Sequence, residues 1–338
     1  MPNADIAGNG AIWVGLETTY GTPVDPTASG VGVWVPIISE NLMYTEDKYY
    51  TPQIRANAIS SDVEQAPYHV AGDIVMEVDP NYMPYFLYAS RHTVTKTGAG
   101  PYVYSAAPTN IGATYPGGSA RGLTIVVVRN KQAFMYSGCV VTQYAYTIEN
   151  GVLRCTLTIL GLAEADTGTE PLDPAVSATW VDANLFGAAA HSIYVDTAGL
   201  TPAFATPDLT FNGYTFTANY NGTPQNRLTS SRSATYISYG EIEATYDTEL
   251  DFTSKAEYAN MKANTLRAIK FESLKGGTPF ASATSAFRVI AYRTSYSTYE
   301  VGLGGIGDLI MARVNGRAIG ITGGVPFRME CKSAANIT

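Results

Sequence analysis

Two short motifs occur twice, in the same order and about half a chain apart, and this repetition narrows the possible folds more than any other feature. Thr51-Pro52-Gln53-Ile54-Arg55 returns as Thr223-Pro224-Gln225-Asn226-Arg227, an offset of 172. Gly72-Asp73-Ile74, followed by Asp79, returns as Gly240-Glu241-Ile242, followed by Asp247, an offset of 168 in a chain of 338 residues. Ordered self-similarity near half the length is the mark of one unit built twice. At ~100–200 residues per domain, the length also suits two domains. The expected organisation is an N-terminal arm over residues 1–30, a first domain over 31–165, a linker over 166–175 and a second domain over 176–338. The arm is rich in Gly, Pro and Thr and is expected to order only against a neighbour. The Asp-Thr-Gly-Thr-Glu-Pro-Leu-Asp-Pro run at 166–174 breaks regular structure.

Most segments read as strands. Residues 31–38, 123–129, 134–148, 152–160, 209–219 and 287–299 are rich in Val, Ile, Thr and aromatics. Asn150-Gly151 between two such runs is a hairpin signal, because both central residues of a type I′ turn need positive φ. Asn212-Gly213, Asn221-Gly222 and Asn315-Gly316 are weaker signals of the same kind. After the strand at 70–78, the apolar segment 80–87 reads as a short helix with Pro in its first turn. After the strand at 239–250, a helix is expected over 254–268. Ser254 and Glu257 have capping-box spacing there, and Tyr258, Met261, Thr265 and Ile269 form one stripe. Strands and helices do not alternate regularly, so a doubly wound sheet is excluded. The fold class is mainly β.

Several function classes find no support. Cys139, Cys155 and Cys331 form no CxxC pair and read as small buried hydrophobes. His69, His92 and His191 lack zinc-site spacing, so no metal or cofactor is expected. Gly302-Leu303-Gly304-Gly305-Ile306-Gly307 fits GxGxxG, but no βαβ unit surrounds it, so it reads as a loop. No nucleophile motif is visible, and the chain is expected not to be an enzyme. The opening residues Met1–Asp5 lack a signal peptide's basic start and apolar core, and no apolar run approaches the ~20 residues that span a bilayer. The expectation is synthesis in a cytoplasm. The formal net charge of -8 argues against gripping nucleic acid by its phosphates. It is uneven: residues 1–170 hold 8 Lys and Arg against 15 Asp and Glu, and residues 171–338 hold 13 against 14.

Charged residues are only 15% of the chain, against 24 Tyr, which suits a surface largely committed to contacts with neighbours. Alternation sets Asp73, Val75 and Glu77 on one strand face, opposite Ile74, Met76 and Val78. It likewise sets Glu241, Glu243 and Thr245 opposite Ile242, Ala244 and Tyr246. Each repeat therefore presents two carboxylates on one face.

Gly15-Leu16-Glu17-Thr18-Thr19-Tyr20-Gly21-Thr22-Pro23, then Trp34-Val35-Pro36-Ile37 and Glu40-Asn41-Leu42, resembles the start of the tail tube (major tail) proteins of long-tailed bacteriophages. Tyr136-Ser137-Gly138-Cys139-Val140-Val141, with the Asn150-Gly151 turn and its flanking strands, resembles the middle of the same proteins. The resemblance covers most of residues 11–165. It implies two tandem β-sandwich or barrel domains, each with a flanking short α-helix and a long loop. It also implies rings stacked into a hollow tube through which double-stranded DNA passes without specific binding. With a duplicated domain, trimeric rings of pseudo-six-fold symmetry are expected, hexameric rings being the alternative. Further implied partners are tail tip, tape measure and tail terminator proteins, and the implied location is the virion tail. Within this frame Asp73, Glu77, Glu241 and Glu243 are expected to face the lumen. The Tyr-rich excursions 44–68 and 216–236 are expected to contact neighbouring subunits or rings, through Tyr49, Tyr50, Arg55, Tyr220 and Arg227. The alternatives are another virion β protein, such as a tail terminator or decoration protein, or a carbohydrate-binding β-sandwich module.

Overall fold

Alternating in-and-out burial along many of the strands sets the architecture, since each such strand has one apolar face to cover. The computed structural model describes residues 10–27, 32–46, 48–50, 63–109, 121–129, 132–165, 185–208, 211–227, 231–252, 255–302 and 310–337. Strand β1 (Ala11–Leu16) is followed by β2 (Gly32–Val35), β3 (Ser39–Glu40), β4 (Met43–Glu46), β5 (Tyr49–Tyr50), β6 (Val63–Glu64) and β7 (Tyr68–Glu77). Helix α1 (Met83–Tyr88) then leads to β8 (His92–Thr97), β9 (Tyr102–Pro108), β10 (Leu123–Arg129), β11 (Gln132–Glu149), β12 (Val152–Gly161) and β13 (Ala163–Ala165). The second half holds β14 (His191–Thr197), β15 (Phe211–Asn219), β16 (Gly222–Gln225), β17 (Tyr236–Tyr239) and β18 (Glu243–Asp251). After helix α2 (Ala256–Lys262) come β19 (Arg267–Leu274), β20 (Ala286–Val301), β21 (Met311–Ala318) and β22 (Phe327–Ser333).

The protein is mainly β, with 18 strands hydrogen-bonded into one large sheet that is not closed. Its central run is antiparallel throughout, in the order β4–β7–β12–β11–β15–β18–β21–β20. The long strands β11 and β20 leave this run at their N-terminal ends and enter two wings. One wing is β2–β1–β10–β11–β13. The other is β14–β19–β20–β22–β9–β8. Central run and wings close over one core. It includes Ile12, Ile125, Ile74, Leu157, Tyr144, Phe216, Phe271 and Phe327, all but inaccessible.

The two halves pair their strands in the same order. In the first, β4–β7–β12–β11 joins β1–β10–β11–β13; in the second, β15–β18–β21–β20 joins β14–β19–β20–β22. Each half places its helix directly after β7 or β18. Irregularities also match: β11 shifts register between Val141 and Gln143, and β20 between Tyr296 and Thr298. These bulges align Thr158 with Asn315 and, across the next ladder, Asp73 with Asp247, an offset of 174. The offset of 168 drawn from Gly72 and Gly240 is therefore six residues out of register. Six is even, so the slip keeps every side chain on its correct face.

Other sequence expectations change in the structure. The helix expected over 254–268 is confined to Ala256–Lys262 and buries no residue. Asn264 adopts φ 50°, a left-handed state that Asn tolerates and that stops the helix. Ala268, Ile269 and Phe271 then enter the core on β19. Asn212-Gly213 is not a turn but a register shift within β15, and Asn315-Gly316 lies inside β21. Gly316 serves close packing, because a Cβ there would lie 2.2 Å from the Tyr246 hydroxyl oxygen. Asn150-Gly151 is the expected hairpin, with φ of 52° and 76°. The helix expected over 80–87 forms at Met83–Tyr88 with Pro84 in its first turn. All three cysteines are free and buried. The linker at 166–175, most of the glycine motif at 302–307, Ser254 and residues 1–9 of the arm lie outside the described residues.

Tyrosine divides between roles. Tyr82, Tyr104, Tyr136, Tyr144, Tyr146 and Tyr220 are fully buried. A buried phenol needs a partner for its hydroxyl: Tyr144 donates to Phe86 O at 2.6 Å and Tyr104 to Ala335 O at 2.7 Å. A large share of the ring surface that composition assigns to neighbours is thus the chain's own core.

Candidate functional site

One face of the central run packs the core, so the other face is the surface it offers. Strand alternation decides its content. On β7 the residues between the buried Val70, Ile74 and Met76 are Ala71, Asp73, Val75 and Glu77. On β12 they are Arg154, Thr156, Thr158 and Leu160. Registers carry the rows onward through Gln143, Ala145 and Thr147 of β11 to Asn219, Thr217 and Thr215 of β15. They continue through Glu243, Thr245, Asp247 and Glu249 of β18 to Arg313, Asn315 and Arg317 of β21. Thr298 and Glu300 of β20 complete the face. Threonine is the commonest residue on it, a β-branched side chain that fits a pleated surface and keeps a polar tip.

Carboxylates outnumber cations on this face. Asp73, Glu77, Glu149, Glu243, Asp247, Glu249 and Glu300 stand against Arg154, Arg313 and Arg317. Thr158 Oγ1 donates to Asp73 Oδ1 at 2.8 Å. Arg313 Nε donates to Asp247 Oδ2 at 2.9 Å, and Arg154 pairs with Glu149. Arg317 reaches both Glu241 and Glu243, each at 3.0 Å. Thr147 and Thr215 hydroxyls meet at 3.2 Å across the β11–β15 junction between the halves. The face is thus hydroxyl-rich, crossed by short local bonds, and negative on balance.

The four predicted acidic residues are placed as follows. Asp73 and Glu77 share one face of β7 and Glu243 opens β18, as alternation predicts. Glu241 is not in the strand, which begins at Glu243; it sits in the β17–β18 connection and reaches the face only through Arg317. The turn there is fixed by the Gly240 N–H, which donates to Tyr220 O and Asn221 O, both at 3.1 Å. Asp247, Glu249 and the arginines were missed because the repeat, not the ladder, guided the choice.

The predicted contact residues separate more sharply. Tyr49 and Tyr50 are 57% and 61% exposed on β5, which pairs antiparallel with β6 beside exposed Val63. Arg227 is exposed, with its guanidinium 5.2 Å from the Tyr236 ring centre. Arg55 lies outside the described residues. Tyr220 cannot meet a neighbour, because it is fully buried with its hydroxyl 2.5 Å from His92 Nε2. Its aromatic ring packs against His92, Tyr144 and Tyr239, a position that neighbouring Asn221 and Gly222 do not reveal in the sequence.

Two buried polar centres brace this architecture. Glu17 Oε1 accepts the Gly138 N–H at 2.8 Å and the Thr124 hydroxyl at 3.1 Å, while Oε2 accepts the Gly21 N–H at 2.7 Å. Burial pushes its carboxyl up from the usual range, and these bonds oppose the shift. His92 lies between Ser90 Oγ at 2.6 Å and the Tyr220 hydroxyl. Ser90 Oγ donates to Leu87 O, so it accepts from Nδ1–H and leaves Nε2 to accept from Tyr220. Burial lowers the His92 pKa to about 3, so the ring is neutral.

Among the described residues no group of three or more His, Cys, Asp and Glu is placed to hold a metal ion. Among these residues no helix is long and apolar enough to cross a membrane.

The central run thus sets one apolar face against the core and one hydroxyl- and carboxylate-covered face outward. The family of phage tail tube proteins matches residues 8–318, and the chain belongs to that family. It is a structural protein of a bacteriophage tail tube, and the family places it in the virion tail and implies self-assembly into a tube. No curated protein matches the chain significantly.

Proposed function

We propose that this protein forms rings that stack into the tail tube, and that the threonine- and carboxylate-covered face of its central sheet lines the channel through which double-stranded DNA leaves the head. The observation that carries the reading is the composition of that face. DNA presents a phosphate charge every ~1.7 Å of axis, and a cationic wall would bind it by releasing counterions. A hydroxyl mat with excess carboxylate offers no such grip, so the duplex slides. Asp73, Glu77, Glu241 and Glu243 act in this wall together with Asp247 and Glu249.

The matching strand order of the halves supports two tandem tube domains in one chain, residues 31–165 and 176–338. Three chains then supply six units, so the preferred ring is a trimer with pseudo-six-fold symmetry. Tyr49, Tyr50, Arg55 and Arg227 belong to ring contacts, with tail tip, tape measure and terminator proteins at the tube's ends and interior. Electron microscopy of concentrated purified protein tests the reading. Hollow tubes with three chains per ring are expected. Six chains per ring would reject the stoichiometry, and small closed oligomers would reject the tube.

A further inference from the structure

The duplication lets one wing be compared with the other, position by position. The β10–β11 ladder shifts register between Leu123 and Ile125, and the β19–β20 ladder between Arg267 and Ile269. Ile125 therefore corresponds to Ile269, and Val126 and Val128 to Lys270 and Glu272. Their cross-strand partners correspond too: Trp13 and Ala11 of β1 to Tyr194 and Ser192 of β14, and Ala133 of β11 to Arg288 of β20. In the first wing these side chains form an apolar cluster with Trp34 of β2, which lies opposite Trp13. In the second wing the Asp208 N–H donates to Ile193 O at 2.7 Å, just as Val35 lies opposite Ile12, which puts Pro207 at the place of Trp34. The volume that the indole fills in the first wing is open here. A cleft of about 440 Å³ is lined by Tyr194, Pro207, Lys270, Glu272, Phe280 and Arg288, a size usual for small-molecule sites.

The fold itself does not call for charge at these positions. The first wing shows that apolar side chains suit the same backbone, and a buried ion set is often no more stable than an apolar set of similar volume. Lys270 and Glu272 are nevertheless only 8% and 4% exposed. Their pairing is loose: Lys270 Nζ lies 3.4 Å and Arg288 Nη1 3.6 Å from Glu272 Oε1. Arg288 Nε gives its short bond to Glu330 Oε2, at 2.6 Å. Lys270 has three donors, and its ammonium also lies 3.6 Å from the Tyr194 ring centre. A covered ammonium held this loosely is short of acceptors, and Lys270 with Arg288 outnumbers Glu272 by one charge around the cleft. We propose that the cleft binds a small organic anion built of a flat ring and a carboxylate. The ring lies against Tyr194 and Pro207, where Trp34 lies against Trp13 in the first wing, and the carboxylate accepts from Lys270. The tube reading is not needed for this site.

Isothermal titration calorimetry of the full chain with indole-3-acetate tests the site. Indole supplies the ring without charge, acetate the charge without the ring, and tryptamine the ring with the opposite charge. Saturable binding of indole-3-acetate with a dissociation constant below ~1 mM is expected, and the other three should bind at least ~10-fold more weakly. Lys270→Gln keeps a donor and removes the charge, and should weaken indole-3-acetate by the same factor. Lys270→Val with Glu272→Val installs the residues of the first wing. That double variant should unfold at a midpoint no lower than wild type and lose the binding. No saturable binding of indole-3-acetate to wild type overturns the site, as does equal binding of indole or tryptamine, or undiminished binding by Lys270→Gln. A double variant that unfolds earlier than wild type assigns the charges to folding and overturns it as well.

Discussion

At the residue scale, two buried polar side chains hold segments that are remote in sequence. Glu17 ties the opening Gly-Leu-Glu-Thr-Thr-Tyr-Gly segment to Gly138, so the two stretches that carry the family resemblance meet at one carboxylate. Glu17→Ala strands the N–H groups of Gly21 and Gly138 and the Thr124 hydroxyl in a buried site. A loss of about 3 kcal/mol is expected, read from urea unfolding of unassembled chain. His92 has a pH signature. Its pKa falls from 6.5 to about 3 on folding, so below pH 6.5 the unfolded chain takes up a proton that the folded chain refuses. Its contribution is therefore complete above pH 6.5 and falls by about 1.4 kcal/mol per pH unit towards pH 3. Unfolding midpoints of wild type and His92→Gln, measured from pH 7 to 4, should converge as pH falls. Parallel lines would refute the assignment.

At the element scale, the strands legible in the sequence are those with a long alternating pattern. Residues 123–129, 134–148, 152–160, 209–219 and 287–299 each contain or overlap a strand with bounds within a few residues. The β11–β12 hairpin is set by Asn150 and Gly151 alone. Gly151→Ala forces a Cβ onto φ 76° and should cost about 1 kcal/mol, seen as a lowered unfolding midpoint of unassembled chain. Sequence reading failed at β19 because its first residues continue a helical spacing. Only Asn264 and the demand of the core for Ala268, Ile269 and Phe271 turn the chain into a strand. The β14 and β22 strands were missed because they are mixed in polarity. Their wing carries Lys270, Glu272, Glu330 and Lys332 in buried positions. Arg288 pairs with Glu272 and Glu330 and lies 3.7 Å from the Phe280 ring centre, so the carboxylates of this wing are covered and paired.

At the scale of the whole molecule, the continuous run from β4 to β20 turns scattered polar residues into a single face. Lysine in place of Asp73, Glu77, Glu241 and Glu243 together should leave chains folded, since the positions are on a solvated face where single charges contribute ~0–1 kcal/mol. Tubes should still form, while DNA delivery from phage carrying the variant falls, measured by DNA release and plaque count. Unchanged release would remove these residues from the channel wall. Arg317→Ala should act in the opposite sense, freeing Glu241 and Glu243 and leaving delivery intact.

The sequence by itself determined the class of fold, the hairpin at Asn150-Gly151, the burial of the cysteines and the outward face of Asp73 and Glu77. Each follows from local alternation or from one residue's backbone freedom, which neighbours in the chain suffice to express. Its likeness between halves also indicated a doubled unit. Tertiary structure decided which residues correspond between the halves, because strand periodicity is blind to an even slip and only cross-strand bulges fix the register. It alone took Tyr220 from the surface into the core beside His92, and it alone brought Arg317 to Glu241 and Glu243 across a ladder. Those placements depend on contacts between segments tens to hundreds of residues apart, where no local pattern reaches.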